Sequence, residues 1–310
     1  MKFARGWRFE LYYWDFVFGV VLTSLLLGMT LGSSVPGPSS FVSNLRQADV
    51  SHIFWAFLAG IIFDMANVLL VAAIECAGLS VAFPLGVGLA LVEGVLLNYI
   101  LTPKGDPILL FGGVTLVTIA IVFDARAYRI REATQHKATA RGIGISLTAG
   151  ILLGLFYPLA TKSFSGVNAL GPFTLVFVSS IGALICNIPV NYYLMRRPIG
   201  GGPPLAIKSY FDGRSSFHLL GVLGGFVWCL GTVLSLVAAN AHIVGPAVSY
   251  AIGQGCTMIS ALWGVFIWRE FAGAPARARA QLGWMFLLFV TGLAAVALAP
   301  IASAASLGIG

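Results

Sequence analysis

Nine long runs of apolar residues, separated by short polar stretches, divide the chain. Each run has about 18–26 residues, and a helix of roughly 20 apolar residues can cross a bilayer core of about 30 Å. Turn-forming residues separate several runs, as in "SSVPGPSS" after the first, "TPKGDP" after the third and "RRPIGGGPP" after the sixth. The pattern predicts nine membrane-spanning helices, at 11–33, 52–77, 79–101, 108–125, 142–161, 170–194, 217–240, 243–268 and 281–303.

The composition indicates that most of the chain is in contact with lipid. Of the 310 residues, 58% are hydrophobic and 9% are charged, which is too few charges to cover a water-soluble domain. Backbone groups in the bilayer must be hydrogen-bonded internally, and the runs are too long for the strands of a β-barrel. The predicted fold class is therefore an all-α polytopic membrane protein.

The basic residues predict how the chain is oriented. With the N-terminus inside, 15 of the 18 Lys and Arg residues lie on one side, and only Arg46, Lys104 and Lys162 lie on the other. Loops rich in Lys and Arg face the cytoplasm. We therefore expect a multi-pass protein of the cell (inner or plasma) membrane with cytoplasmic basic loops. The formal charge of +7 is then explained without a nucleic-acid partner.

The two halves of the sequence resemble each other. The segments "FLAGIIFDMANVLLVAA" and "VLGGFVWCLGTVLSLVAA" align Gly60 with Gly225 and Val68 with Val233 at an offset of 165 residues. A tight turn and a Gly-rich helix follow in each half. Two repeats with an odd number of helices each would be inverted relative to one another, which is typical of secondary transporters.

The start of the chain also has a counterpart in the second half. "MKFARG" aligns with "TKSFSG" at 161–166, but a complete helix precedes only the second segment. We therefore predict a first repeat of four helices at 1–126, a basic cytoplasmic linker at 127–141 and a second repeat of five helices at 142–310. The missing helix would lie upstream of Met1, or the protein is a nine-helix variant of a ten-helix fold.

These segments resemble a known group of transporters. "WRFELYYWDFVFGV", "AGLSVAFPLGVGLAL" followed by "LNYI", and "GPAVSYAIGQG" with "ALWGVFIWREF" are similar to the sugar-porter branch of the drug/metabolite transporter superfamily. That branch includes glucose/ribose and rhamnose porters, with ureide permeases as relatives. The resemblance implies ten helices in two inverted five-helix repeats, with the substrate bound centrally between them. This chain departs from that pattern by lacking the first helix.

Asp64 is the first candidate for a functional residue. It lies about 12 residues from either end of the predicted 52–77 helix, and an ionisable group at this depth is costly unless it has a role. Helical spacing places Gly60, Asn67 and Glu75 on the same face. Asp64 and Asn67 are predicted to bind substrate, with Asp64 also a candidate for proton coupling. The alternative is a structural carboxylate bonded to neighbouring polar groups.

Three more acidic residues lie in the predicted helices, where each could have a coupling or a structural role. Glu93 lies within the 79–101 helix, but its repeat counterpart is Trp263, which argues against a symmetric role. Asp15 lies one turn inside its helix, where it could interact with the helix dipole or reach a central cavity. Glu93 and Asp15 are therefore coupling candidates. Asp124 lies near a helix end, and we expect its side chain to reach water.

The second half supplies polar and aromatic candidates at similar depth. Trp228, Tyr250, Gln254 and Asn187 lie within the predicted helices. A sugar presents hydroxyls to amides and carboxylates, and C–H faces to aromatic rings, so we predict that these residues bind substrate. The alternatives are helix packing for the aromatic residues and interhelical hydrogen bonds for the amides.

Other kinds of chemistry are not indicated. The Gly-rich segments lack the context of a phosphate loop, and the cysteines and histidines have no metal-ligand spacing, so no cofactor, metal or enzyme activity is expected. We predict a secondary transporter of a small polar solute, most simply a monosaccharide, using alternating access and a proton or another coupling ion. The alternatives are a nucleobase or ureide carrier, an exporter of apolar compounds, and a membrane scaffold.

Overall fold

The computed structural model describes residues 6–34, 37, 40–131, 140–198, 202–240 and 244–306. Within these ranges the regular structure is entirely helical. The predictions that concern Lys2, Arg5, the central part of the basic linker and the turn at 241–243 lie outside the described residues. The helices are α1 Phe9–Met29, α2 Phe41–Gln47, α3 Val50–Ala77, α4 Leu79–Phe83, α5 Leu89–Leu101, α6 Pro107–Arg131, α7 Ala140–Ser163, α8 Pro172–Arg196, α9 Lys208–Phe211, α10 Ser215–Asn240, α11 Pro246–Gly253, α12 Gly255–Leu262 and α13 Ala276–Ser306.

Nine helical segments in the described part of the chain are long and apolar enough to cross a membrane. They overlap the nine predicted runs one for one, which confirms the all-α polytopic fold class. Lipid offers no hydrogen bonds, so the backbone N–H and C=O groups of each apolar segment must bond within their own helix. The hydrophobic pattern alone therefore predicts these helices.

Two of the spans are interrupted. The third span is divided into α4 and α5 by a π-helical turn at Pro84–Gly88, where proline lacks the amide hydrogen that a regular helix needs. The eighth span consists of α11, α12 and a second π-helical turn at Trp263–Ile267. Such turns widen the helix locally and often occur at functional sites.

The chain forms two compact units. Unit 1 comprises Met1–Val68 and Leu159–Val237, and unit 2 comprises Leu69–Pro158 and Ala238–Gly310. The boundaries fall inside α3, α7 and α10. Each of the predicted repeats, 1–126 and 142–310, therefore supplies residues to both units, and the repeats themselves stay a prediction.

Close helix contacts through small residues hold unit 1 together. A Cβ atom added at Gly60 in α3 would lie 1.8 Å from the carbonyl oxygen of Ser179 in α8, and one at Gly182 would lie 2.2 Å from the carbonyl oxygen of Phe57. The Ser179 hydroxyl donates a hydrogen bond to the Ala56 carbonyl at 2.8 Å. Packing of this kind is the main attraction between helices in lipid, where the hydrophobic effect is absent.

Unit 2 is built around α6 and α13. Added Cβ atoms at Gly113 and Gly292 would each approach the other residue's carbonyl oxygen, at 2.6 and 2.7 Å. The backbones of the two helices are therefore in direct contact.

Candidate functional site

Asp64 lies near the middle of α3, within unit 1, and its side chain is completely enclosed, with 0% exposure. The Tyr13 hydroxyl of α1 and the Cys186 thiol of α8 are the polar groups that interact with its carboxyl group. Among the described residues, however, no donor makes a well-formed hydrogen bond with either carboxyl oxygen. Asp64 thus lies near the middle of its helix, while its depth in the membrane stays a prediction. Its carboxyl group has no well-formed hydrogen bond within the described structure.

The packing of α3 on α8 explains where this carboxyl group points. Ser179 contacts Ala56, and Ala183 lies against Gly60, so the two helices run in the same direction at this contact. One further turn along each helix leads from Gly60 to Asp64 and from Ala183 to residue 187. Asn187 is also fully buried, and neither its amide nitrogen nor its amide oxygen has a hydrogen-bond partner within the described structure.

An aromatic layer from α1 surrounds the polar group. The Tyr13 ring stacks on Phe9 at 4.9 Å and on Phe16 at 5.6 Å between ring centroids. The buried Tyr13 hydroxyl has no well-formed hydrogen bond to any residue that the structure describes. Tyr13 packs in one apolar cluster with Val68 of α3 and Leu194 of α8. Asp64, Tyr13 and Asn187 are thus buried polar groups whose hydrogen-bonding capacity is largely unused. We call these three residues the polar cluster.

Trp228 lies on the adjacent helix α10 of the same unit. Its ring centroid is 4.2 Å from that of Phe63, with an interplanar angle of 31°, and 6.2 Å from that of Phe16. Trp228 is only half-buried. Asn67, one turn beyond Phe63, is also half-buried, and its amide nitrogen donates to the Phe63 carbonyl oxygen at 2.8 Å. Phe63 therefore lies between two of the predicted substrate-binding residues.

The energetics of the polar cluster distinguish it from ordinary core packing. Burying a polar group without a hydrogen bond costs roughly 1–3 kcal/mol, and burying an ionised carboxylate without a partner costs much more. Native proteins leave few buried groups unsatisfied, and such groups concentrate at functional sites. The arrangement could bind a proton on Asp64, or could accept hydrogen-bonding groups of a solute after a local rearrangement.

Three predicted residues lie in unit 2, where they have other surroundings. The Tyr250 hydroxyl donates to the Ala90 carbonyl oxygen at 3.1 Å, and the tyrosine ring packs on Tyr157 at 5.1 Å. Gln254 is half-buried at the junction of α11 and α12. Glu93 is half-buried, and a Cβ atom added at Gly154 of α7 would lie 3.1 Å from its Oε2 atom. Tyr250 is thus engaged in helix packing, which was the alternative considered for it.

Asp15 is buried and bonded, at 3% exposure. The Tyr210 hydroxyl donates to its Oδ1 atom at 2.5 Å, and Nδ1 of His218 lies 2.9 Å from its Oδ2 atom. Burial, this hydrogen bond and the nearby Asp15 carboxylate raise the pKa of Tyr210. Asp15 therefore has two donors from distant parts of the chain. This arrangement makes it a structural anchor for the segment that contains α9.

Several of these neighbours were not predicted from the sequence. Tyr13 and Cys186 were not among the candidate residues, although Cys186 directly precedes the candidate Asn187. Tyr210 and His218 were also missed, because they are 195 and 203 residues from Asp15 and no local pattern links them. Asn191, one turn beyond Asn187 in α8, donates from its amide nitrogen to the Glu10 carbonyl oxygen at 2.8 Å, which links α8 to α1.

Comparison with known proteins gives consistent relationships. Residues 17–299 match the model of a family described as "Sugar transport protein". The chain is 24% identical to Ureide permease 1 of Arabidopsis thaliana, over 91% of this chain and 87% of the relative. It is 23% identical to Ureide permease 2 of the same plant, with the same coverage. It is also 24% identical to "Putative sugar uptake protein lmo0176" of Listeria monocytogenes, over 82% of each chain.

The matched region spans all nine apolar helices at least in part. It also includes the polar cluster except for Tyr13, together with Trp228 and Asn67. The relatives are membrane permeases and an uptake protein, in accord with a chain of membrane-spanning helices. The chain is a membrane transporter and belongs to the sugar transport protein family.

Proposed function

We propose that this transporter is a secondary active carrier of a small polar solute, with a monosaccharide as the leading substrate class. The observation that carries the proposal is the polar cluster, in which Asp64 lies near the middle of α3 and neither carboxyl oxygen has a well-formed hydrogen bond among the described residues. A transporter must offer its solute hydrogen-bonding groups that are not already used within the protein. Asn187 offers both a donor and an acceptor of this kind.

A sugar would use both types of group found in unit 1. Its hydroxyls can donate to a carboxylate and exchange hydrogen bonds with the amides of Asn187 and Asn67, while an apolar C–H face can stack on an aromatic ring. Trp228 is half-buried beside Phe63, and its ring is the proposed stacking group for the sugar. Tyr250 and Gln254 form a second candidate group in unit 2.

Proton coupling through Asp64 is the proposed energy source. An ionised carboxylate without a partner is costly in a low-dielectric interior, and a bound proton or a bound solute donor would remove that cost. The occupancy of the carboxyl group would thus favour one conformation over another, which is the requirement for alternating access. Glu93 and Asp15 remain secondary coupling candidates, and the bonds to Asp15 favour an anchoring role for it.

A ureide is the second candidate substrate, because several relatives are named ureide permeases. Ureides carry adjacent N–H donors and C=O acceptors. They could donate to the Asp64 carboxylate and pair with the Asn187 amide, without any need for the Trp228 ring. The two substrate classes therefore differ in the residue that each would depend on most.

The proposal includes the membrane setting. The chain would reside in the cell (inner or plasma) membrane with its basic loops in the cytoplasm, following the positive-inside rule. Its two inverted repeats would alternate access to the solute. The protein would act without an enzymatic step.

Uptake into proteoliposomes tests the proposal. We expect purified protein to accumulate a labelled monosaccharide, and not a nucleobase, when an inward proton gradient is imposed. Asp64→Asn should abolish accumulation while some exchange of solute remains, and Asp212→Asn, which changes an exposed loop carboxylate, should behave as wild type. Accumulation driven by pH that is unchanged in Asp64→Asn would refute the coupling role. Uptake of ureides in preference to sugars would assign the second substrate class.

A further inference from the structure

A small, partly open cavity lies in unit 2, between the last turns of α6 and the helix α12. Its volume is about 150 Å³, and its polar lining comes from Asp124, Tyr128, Thr257 and Ser260, with Phe83 and two alanines completing the wall. Each of these four polar residues carries at least one oxygen atom in its side chain. The cavity is distinct from the polar cluster, which belongs to unit 1.

The charges around this cavity are unevenly paired. Glu270 is well partnered, since the Tyr128 hydroxyl donates to its Oε2 atom at 2.8 Å and the Arg131 guanidinium lies 3.6 Å from the same atom. Arg131 is further held over the rings of Tyr128 and Phe271, at 5.0 and 5.3 Å. Arg131 is therefore already committed to Glu270.

In the part of the chain that the structure describes, Asp124 forms no ion pair. Its Oδ1 atom is closed off from solvent and accepts no hydrogen bond from the residues that the structure describes, and the negative charge of Glu270 acts on it as well. The nearest arginine in sequence, Arg126, stacks on Phe123 at 5.9 Å. Asp124 as a whole is half-buried, so the expectation that its side chain reaches water stays a prediction. Among the described residues, no cation compensates the charge of this carboxylate.

We propose that this cavity binds one monovalent metal cation, with Asp124 as the ligand that carries the charge. Carboxylate and hydroxyl oxygens are hard donors that suit alkali and other hard cations, and the lining contains none of the sulfur or imidazole ligands that transition metals favour. One uncompensated carboxylate matches a single positive charge. The hydroxyls of Thr257 and Ser260 would supply neutral ligands.

The size of the cavity supports an ion rather than a solute. Each water molecule occupies about 30 Å³ of liquid, so a volume of about 150 Å³ accommodates an ion with a few waters. Pockets for organic ligands usually begin at about 300 Å³. The inference does not depend on the identity of the transported solute.

Cation binding to the purified full-length protein tests the proposal without any transport step. Binding of labelled Na⁺ would be measured in detergent at constant ionic strength, with KCl, LiCl and choline chloride as competitors. We expect one saturable site from which Na⁺, K⁺ or Li⁺ displaces the label and choline does not. Asp124→Asn should weaken binding at least tenfold, whereas Asp212→Asn should leave it unchanged. Asp64→Asn should also leave it unchanged, which separates this site from the proposed coupling group.

Two outcomes with the wild type and Asp124→Asn would overturn the proposal. One is the absence of saturable binding of any of the three metal cations to folded wild-type protein. The other is equal affinity in Asp124→Asn and wild type. If Asp124→Asn fails to fold, Thr257→Val and Ser260→Ala decide the matter, because each removes one neutral ligand and should weaken binding about threefold or more. Unchanged affinity in both of these variants would also overturn the proposal.

Discussion

Gly60→Ala should destabilise unit 1 far more than a glycine-to-alanine substitution at an uncrowded helical position. The added Cβ atom would lie 1.8 Å from the Ser179 carbonyl oxygen and 2.9 Å from the Ala183 nitrogen. An ordinary contact begins near 3.4 Å, so α3 and α8 would have to separate by about 1.6 Å. Both nearby atoms belong to the backbone, and no side-chain rotation can relieve the overlap.

The expected cost follows from two contributions. Overpacking a well-packed contact costs about 1–3 kcal/mol. Separating the helices would also weaken the bond from Ser179 to Ala56, and an unsatisfied buried hydroxyl adds about 1 kcal/mol. The better helix propensity of alanine returns up to about 1 kcal/mol. The net loss of unfolding free energy is therefore about 1–3 kcal/mol.

A matched control isolates the steric effect. Gly231 of α10 is a helical glycine of the same unit, and an added Cβ atom there would meet nothing within 4 Å. Gly231→Ala should therefore be neutral or slightly stabilising. Unfolding of both variants by SDS titration, followed by circular dichroism, measures the difference. If Gly60→Ala unfolds within about 0.5 kcal/mol of Gly231→Ala, the close contact of α3 with α8 is refuted.

Substitutions at three further residues test individual side chains. Tyr210→Phe removes the hydrogen bond to the Asp15 carboxylate, a loss of about 1.5–3 kcal/mol. Because the pKa of Tyr210 is raised on folding, its contribution to the unfolding free energy is complete below about pH 10 and is lost as the pH rises further. In thermal unfolding, the stability of the variant should therefore decrease less steeply with pH above about pH 10 than that of the wild type. Tyr250→Phe removes the bond to Ala90 and should cost about 1 kcal/mol of stability with little change in solute selectivity; a large change would assign Tyr250 to solute binding. Trp228→Ala should raise KM for sugar uptake about tenfold, equivalent to about 1.4 kcal/mol. Trp228→Phe keeps an aromatic ring and should have a KM close to that of the wild type. Equal KM values in the wild type and both variants would contradict stacking of the sugar on Trp228.

Most of the fold could be predicted from hydropathy, because each span satisfies its own backbone and needs no partner to be recognised. The break at Pro84 has a local cause, since proline interrupts a helix through its own chemistry. The π-helical turn at Trp263–Ile267 was not expected. It contains no proline, and its geometry depends on the helices that pack against it. The sequence offers no local signal for such a choice.

The candidate site divides in the same way. The depth of Asp64 could be read directly from its distance to the ends of the span. Its neighbours could not, because Tyr13 lies on α1 and Cys186 on α8, and no pattern within one helix indicates which other helices it contacts. The small residues Gly60 and Ala183 were the usable signal, since they mark the faces at which helices approach closely. A search for polar residues one turn beyond such contacts would have found Asn187 and its neighbours.

Asp15 and Asp64 show why depth alone does not assign a function. Both carboxyl groups are buried in unit 1, and both were coupling candidates on sequence grounds. Asp15 accepts a hydrogen bond from Tyr210 and contacts His218, so its burial is compensated and its loss should mainly reduce stability. Asp64 has no well-formed hydrogen bond in the described structure, so its burial destabilises the fold. A bound proton or solute that used the carboxyl group during transport would explain why it is buried there. The unpaired group is therefore the stronger candidate for function, and the paired one the stronger candidate for stability.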